Sequence, residues 1–199
     1  MAKLTIAILV FDDVEELDAI GPYQVFGSAR ALHPGSVSPV LVSKDGAMVQ
    51  CVNGLRIQPD YSFETLPEPD VLLIPGGPGT RRAAQDDTLV EWVALKGKNS
   101  SWVASVCSGA RITLASGLSV GRRITTHHGV IDELRARGDA TVLDNVRFVR
   151  DGKLVHSAGI SAGIDMSLWL LGQLLTPDVA RETQDYMEYH PAPPYAYEI

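Results

Sequence analysis

The sequence has few cysteines and no spacing typical of metal ligands. Its 199 residues include two cysteines, Cys51 and Cys107, and they form no CxxC pair. Neither a disulfide framework nor a zinc site is therefore expected. The adjacent histidines His127 and His128 end a segment that reads as a short strand, in which neighbouring side chains point to opposite faces. We accordingly predict no metal site.

Long apolar runs and basic runs are also absent. No stretch approaches the roughly 20 apolar residues that a membrane span requires. Asp12 and Asp13 follow the first apolar run, where a signal peptide needs small residues at its cleavage site. We expect a cytoplasmic protein with no membrane partner. With 17 basic and 24 acidic residues, the formal charge of −7 disfavours a nucleic-acid-binding surface and favours a small neutral or cationic partner.

Nucleotide-binding motifs are missing as well. The segment Gly76-Gly77-Pro78-Gly79 follows a predicted strand, Asp70–Pro75, but it matches neither GxGxxG nor a P-loop. We therefore expect no dinucleotide or triphosphate site; the paired glycines instead allow a ligand to approach the backbone closely. The sequence contains no repeat or linker, and 45% of its residues are hydrophobic, which indicates a single α/β domain over residues 1–199.

The most informative stretch runs from Ser101 to Gly117, SWVASVCSGARITLASG. Trp102–Val106 has the length and composition of a strand buried on both faces of a parallel sheet. From Ser108 the apolar period becomes helical, and Gly117 is expected to end the helix. Cys107 lies at the junction, where the free N–H groups of the first helical turn favour a thiolate. This position fits a nucleophile, and it also fits a small buried residue of the core.

The remaining segments alternate between strand and helix. Leu4–Phe11 reads as a buried strand, and a helix is expected to begin at Gly21-Pro22, after the acidic loop. Asp18 lies in that loop between apolar residues, so we expect its carboxylate to be partly buried at the ligand-binding edge of the sheet. Further predicted elements are a strand at Val37–Val42 and hairpins at Asn53-Gly54 and Asp151-Gly152. Three more helices are expected: one at Asp86–Lys96, one that ends at about Leu175, and one at Pro177–Tyr186.

Several separated segments carry a family resemblance. They are Glu15-Glu-Leu-Asp18, Pro75-Gly-Gly77, Ser105-Val-Cys-Ser-Gly109, Thr125-Thr-His127, Ala162-Gly-Ile-Asp165 and the proline-rich tail that begins at Tyr189. Through them the whole chain resembles the ThiJ/PfpI superfamily, flavodoxin-like proteins related to class I glutamine amidotransferases. The resemblance implies a flavodoxin-like three-layer α/β sandwich with a mainly parallel central sheet and a nucleophile elbow. It also implies a homodimer.

The resemblance further implies roles for individual residues. Cys107 is expected to be the nucleophile, with Asp18 as the acidic partner beside it. Gly77 and Ser108 are expected to contribute backbone N–H groups. The Ser108 hydroxyl and the backbone N–H of Ile160 are expected to border the same pocket.

Superfamily members with other activities have a catalytic base at positions where this chain has none. Peptidase-like members have a histidine immediately after the nucleophile, where Ser108 stands here, and amidotransferases use a late His-Pro-Glu, which is His190-Pro191-Ala192 here. His127 remains as a candidate residue at the pocket. It is either a spare base or a hydrogen-bonded structural histidine.

Within the superfamily, the chain is similar to isocyanide hydratases and to the amidotransferase-like domains of AraC-type regulators. It departs from the hydratases at Ser108 and His128, where they tend to have threonine and tryptophan. The resemblance implies hydration of a small isocyanide to an N-substituted formamide by covalent catalysis at Cys107, without a metal or organic cofactor. The alternatives are a ligand- or redox-sensing domain without turnover and a glyoxalase-like hydratase.

Overall fold

The computed structural model describes residues 3–191. Its strands, in chain order, are β1 Leu4–Leu9, β2 Val37–Ser43, β3 Val49–Gln50, β4 Arg56–Ile57, β5 Tyr61–Ser62, β6 Val71–Ile74, β7 Trp102–Val106, β8 Arg123–Ile124, β9 Thr141–Val142, β10 Phe148–Asp151 and β11 Leu154–Ser157. Its α-helices are α1 Glu16–Leu32, α2 Thr80–Ala83, α3 Asp87–Asn99, α4 Ala110–Ala115, α5 Ile131–Arg137, α6 Ala162–Leu174 and α7 Pro177–Tyr186.

Seven of these strands form the central sheet, in the order β10-β11-β7-β6-β1-β2-β5. All neighbouring pairs are parallel except β10 and β11, which form an antiparallel hairpin at one edge. The register pairs Ile8 of β1 with Leu73 of β6, and Leu73 with Ala104 of β7. The carboxyl ends of these three central strands therefore lie side by side, at the edge where open α/β sheets bind ligands.

Helices cover both faces of the sheet and produce the three layers that were expected. Ala104 and Val106 belong to a buried cluster that contains residues of α1 and α6, among them Phe26 and Met166. Val103, which precedes Ala104, belongs to a second buried cluster on the other face, with residues of α3 and α4. Because successive strand residues point to opposite faces, the short run Trp102–Val106 contributes to both cores. The flavodoxin-like α/β fold is thus confirmed.

The first helix differs from the prediction. Helix α1 begins at Glu16, so Pro22 lies well inside it and Asp18 lies in its first turn. A proline in the helix interior removes the bond that its N–H would donate to the carbonyl of Asp18, four residues earlier. Acidic residues in the first turn, Glu16 and Asp18, favour the helix start because they complement the positive end of its dipole. The expected start at Gly21-Pro22 is therefore wrong.

Most other boundaries agree with the sequence-based expectations. The hairpins turn at Gly54 and Gly152, both with positive φ, and Gly117, with a φ of 77°, follows the end of α4. Helix α7 has the predicted bounds Pro177–Tyr186. The proline-rich tail lies outside the described residues from position 192 onward. Within residues 3–191, no helix combines the length and the hydrophobicity that crossing a bilayer requires.

Candidate active site

Cys107 lies at a sharp bend between β7 and α4. Its φ of 56° falls in the left-handed region, which a non-glycine residue adopts only at a cost of about 1–3 kcal/mol. Backbone contacts hold it there: the Cys107 N–H donates to the Ala158 carbonyl at 3.0 Å, and its carbonyl accepts the Thr126 hydroxyl at 2.7 Å. At Gly109, a Cβ would lie 2.2 Å from the Ile74 carbonyl oxygen, so the turn needs a glycine there.

Asp18 reaches the buried side of Cys107 from helix α1. Asp18 Oδ2 accepts the backbone N–H of Gly76 at 3.1 Å. A Cβ on Gly76 would lie 2.7 Å from Asp18 Oδ2 and 2.8 Å from Cys107 Cβ, so the two side chains meet across this glycine. The other oxygen, Oδ1, meets no N–H or O–H donor among residues 3–191. Asp18 is fully buried, at 0% exposure, rather than partly buried as expected.

Burial and charge both affect the pKa values of this pair. Burial raises the pKa of Asp18 to about 7, and hydrogen bonds from the Cys107 side chain and the Gly76 N–H oppose that increase. Burial, followed by the negative charge of Asp18, raises the pKa of Cys107 to about 12. The effect of the helix start on the Cys107 sulfur is therefore opposed by burial and by the neighbouring carboxylate. The two side chains are in contact and titrate as a pair, so a proton can pass between them.

Two backbone N–H groups are nevertheless directed at the sulfur. Hydrogen bonds from the backbone of Ser108 and of Ile160 both lower the pKa of Cys107, against the larger effect of burial. Ile160 has a φ of 38°, a conformation that β-branched residues rarely adopt. These two groups can stabilise negative charge on the sulfur whenever the proton leaves it.

The Ser108 hydroxyl and the backbone of Gly77 bind each other. Ser108 Oγ accepts the Gly77 N–H at 2.9 Å and donates to the Gly77 carbonyl at 3.1 Å. The Gly77 N–H was expected to point at the pocket, but it is occupied by this serine. The Thr80 hydroxyl donates to the same carbonyl at 2.7 Å, and Arg111 Nη1 donates to Thr80 Oγ1 at 3.2 Å.

A cavity of about 330 Å³ opens in front of Cys107. Its wall includes Gly77, Ser108, His127 and Ile160, which the sequence placed at the site. Asp18 lies buried beside the side chain of Cys107, which lines this cavity. This volume is near the lower end of the ~300–1,000 Å³ typical of ligand pockets, so it suits a small molecule.

The two histidines contact each other, contrary to the expectation for a strand. Strand β8 ends at Ile124, and His127 caps a short 3-10 turn by accepting the Gly129 N–H on Nδ1 at 3.1 Å. The rings of His127 and His128 pack edge to face, with centroids 4.0 Å apart. Burial and the neighbouring His128 lower the pKa of His127, which favours the neutral ring. His127 lines the Cys107 cavity, whereas His128 lines a neighbouring one.

Sequence reasoning missed polar residues at the cavity, among them Arg111 on its wall. Arg111 is only 6% exposed, and its Nε and Nη2 bind both carboxylate oxygens of Glu133 on α5. A charged residue within the apolar stripe of the predicted elbow helix was the available signal, because a buried arginine needs an acidic partner. Within residues 3–191, no three histidine, cysteine or acidic side chains gather closely enough to hold a metal ion.

The fold and this site define a flavodoxin-like α/β protein with a cysteine at a strand-to-helix elbow. The chain belongs to the DJ-1/PfpI family, which matches residues 4–173. Isonitrile hydratase from Pseudomonas putida is 38% identical over 192 residues, which cover 96% of this chain and 81% of that protein. Glutathione-independent glyoxalase DJR-1.2 from Caenorhabditis elegans is 28% identical over 180 residues, covering 88% and 91%.

The fold has a close counterpart among solved structures. The crystal structure of a ThiJ/PfpI family protein from Pseudomonas syringae superposes with a TM-score of 0.89 at 34% identity. The match covers 98% of this chain and 78% of that one. The family resemblance drawn from the sequence motifs is thereby confirmed.

Proposed function

We propose that the protein hydrates a small isocyanide to an N-substituted formamide, through a covalent intermediate on Cys107. The observation that carries this proposal is the pairing of the Cys107 thiol with Asp18, a buried carboxyl group whose pKa is raised to about 7. Such a group can accept and return a proton near neutral pH. The similarity to the Pseudomonas putida protein named isonitrile hydratase, isonitrile being a synonym of isocyanide, supports the same reaction.

In the first half of the reaction, the thiol adds across the terminal carbon of the isocyanide. Asp18 takes the proton from Cys107 as the sulfur attacks this carbon, and then delivers that proton to the same carbon. The product is a thioimidate, in which the former isocyanide carbon carries one hydrogen, the sulfur and a double bond to nitrogen. The N–H groups of Ser108 and Ile160 stabilise the charge that appears on sulfur when the proton leaves.

In the second half, water releases the product. Asp18, ionised again, takes a proton from water while the hydroxyl adds to the thioimidate carbon, and it passes this proton to the nitrogen. The resulting tetrahedral adduct forms the formamide carbonyl and expels the Cys107 sulfur, which regains the proton lost by the hydroxyl. The sum is one isocyanide and one water converted to one formamide. Every proton is carried by Asp18, Cys107 or the reactants, so the sequence of steps needs no metal or organic cofactor.

The other predicted site residues have binding roles in this proposal. Ser108 and Gly77 hold each other in place and shape one side of the cavity. Ile160 and His127 line the side formed by the loops before α6 and α5. The neutral His127 ring, whose Nδ1 already accepts the Gly129 N–H, contributes polar surface rather than the first base.

The test is formamide formation from a panel of small isocyanides, followed by mass spectrometry, with Cys107→Ala as the inactive control. Turnover by the wild type and none by Cys107→Ala is the expected result. Methylglyoxal serves as a parallel substrate because of the similarity to a glutathione-independent glyoxalase and because a histidine, His127, shares the cavity with the cysteine. Turnover of methylglyoxal alone would favour the glyoxalase-like hydratase. Turnover of neither compound would favour a sensing domain.

The homodimer implied by the family has a candidate surface near the cavity. Leu17 of α1 and Val52 and Leu55 of the β3–β4 hairpin are exposed apolar residues. The hairpin is fastened to the start of α1, since the Val52 N–H donates to the Val14 carbonyl at 3.0 Å. We expect Leu55→Glu to yield monomers in sedimentation equilibrium. Leu95→Glu, at an exposed position of α3, should leave the dimer intact, and a monomeric wild type would contradict this proposal.

A further inference from the structure

Two arginines lie on the wall of the Cys107 cavity, although the chain as a whole is acidic. Arg111 is almost completely buried, and Glu133 binds its guanidinium through both carboxylate oxygens. Among the described residues, its other hydrogen bond goes to the Thr80 hydroxyl, 3.2 Å from Nη1. The charge of Arg111 is therefore neutralised and its side chain is fixed in the wall.

Arg81 of α2 is in a different position. Its side chain is exposed, and within residues 3–191 its guanidinium makes no ion pair or hydrogen bond. The charge of Arg81 acts on the carboxylate of Glu133, whose pKa is lowered first by Arg111 and also by the charges of Arg81 and Arg137. Because Glu133 is already held by Arg111, it leaves the donors of Arg81 available to a ligand.

One acidic residue, Glu15, also lines the cavity, but within residues 3–191 it forms no ion pair with Arg81. Burial, followed by repulsion from Glu16, raises the pKa of Glu15. The guanidinium of Arg81 therefore stays unpaired on a wall that it shares with Cys107.

We infer that Arg81 forms an anion-binding subsite of this cavity, and that the substrate is a small isocyanide that carries a carboxylate. This inference rests on the proposed hydratase function and names its substrate class. The isocyanide carbon reaches the Cys107 sulfur while the carboxylate binds the guanidinium of Arg81, which can donate two parallel hydrogen bonds to it. An anionic substrate differs from the neutral or cationic partner that the net charge of the chain favours.

The test compares isocyanoacetate with its neutral methyl ester as substrates. For the wild type we expect kcat/KM to be at least about tenfold higher for the carboxylate, the scale of a charge-assisted contact. Arg81→Gln should raise KM for isocyanoacetate about tenfold or more, with little change in kcat and no change for the ester. Arg82→Gln is the matched control, because the adjacent Arg82 binds Asp13 and lines a different cavity.

The possible outcomes distinguish a failure of the proposed subsite from a failure of the proposed hydratase reaction. Equal turnover of both compounds by the wild type, or equal losses for both in Arg81→Gln, would overturn the subsite and leave the hydratase standing. If neither isocyanide is hydrated, the proposed function fails, and alkylation of Cys107 still tests the subsite. The ratio of the Cys107 alkylation rate with iodoacetate to the rate with iodoacetamide should fall in Arg81→Gln and stay unchanged in Arg82→Gln. An unchanged ratio in both variants would overturn the inference.

Discussion

Asp18 is fixed against the nucleophile by one backbone contact, the hydrogen bond from the Gly76 N–H to Asp18 Oδ2 at 3.1 Å. Gly76 has no room for a side chain, since a Cβ would lie 2.6 Å from the Ser108 nitrogen and 2.8 Å from Cys107 Cβ. The contact joins the end of β6 to helix α1 and brings the buried carboxyl group to the sulfur. The proposed proton transfers depend on this arrangement.

Asp18→Asn should nearly abolish turnover while leaving Cys107 open to alkylation. The amide oxygen can still accept the Gly76 N–H, but an amide cannot carry a proton between thiol, carbon and water. We expect a loss of at least about 10²–10⁴-fold in kcat, the range of a general acid–base group. Asp18→Glu should keep a fraction of the activity, because its carboxylate persists at an altered reach. Near-native turnover of Asp18→Asn would show that the proton is carried elsewhere, with His127 the next candidate.

The pH profile should report the pKa of Asp18. Only the ionised carboxylate can accept the thiol proton, so kcat/KM for a neutral isocyanide should rise with pH through about 7 and then level off. The measurement is initial rates between pH 5.5 and 8.5, with intact Cys107 verified by mass spectrometry at each end. A flat profile over that range would contradict a base with a raised pKa.

Cys107 should be alkylated faster than Cys51, because of access rather than acidity. Burial raises the pKa of Cys51 to about 11, and burial together with Asp18 raises that of Cys107 to about 12. Only Cys107 lines the 330 Å³ cavity, whereas Cys51 is 1% exposed within the hairpin core. Brief iodoacetamide treatment followed by peptide mass spectrometry measures both sites. Equal labelling would indicate that Cys107 is an ordinary core thiol.

His156 should make the fold less stable as the pH falls. The ring is buried between Ser105 Oγ, 2.7 Å from Nδ1, and Ser119 Oγ, 3.1 Å from Nε2. Burial lowers its pKa to about 4, whereas an unfolded histidine titrates near ~6.5. Between these values the unfolded chain binds more protons, so the free energy of unfolding decreases with falling pH, by on the order of 3 kcal/mol in total.

Asp18 acts in the opposite direction over much of the same range. Its pKa is raised in the folded state, so between about pH 4 and pH 7 the folded chain binds more protons than the unfolded chain does. The free energy of unfolding therefore increases as the pH falls through this range. Urea unfolding at pH 7.5 and 5.0 measures this effect. Between these two pH values, the free energy of unfolding should decrease more for Asp18→Asn than for the wild type. Adding His156→Asn should remove most of that loss, while adding His190→Asn, at an exposed site, should not. Equal losses in the two double variants would contradict the role of His156.

Local patterns predicted the elements that depend on local forces. The run Trp102–Val106 and the bounds of α7 follow from apolar composition and end signals, and both were correct. The start of α1 was wrong because buried contacts of Asp18 and Ala19 outweighed the local preference of Pro22. The prediction of a strand that extends to His128 was wrong because β8 consists of Arg123 and Ile124 alone, although only His127 of the two histidines lines the Cys107 cavity.

The sequence by itself determined the order of strands and helices, the cysteine at the elbow and, through family motifs, the pairing of Asp18 with it. Only the tertiary structure decided that the pKa of both groups is raised, since each pKa depends on desolvation and on a neighbour far along the chain. It also decided that the Gly77 N–H binds Ser108 and that Arg81 keeps its donors free within the described residues. Such contacts join residues from separate elements, and packing brings these residues together.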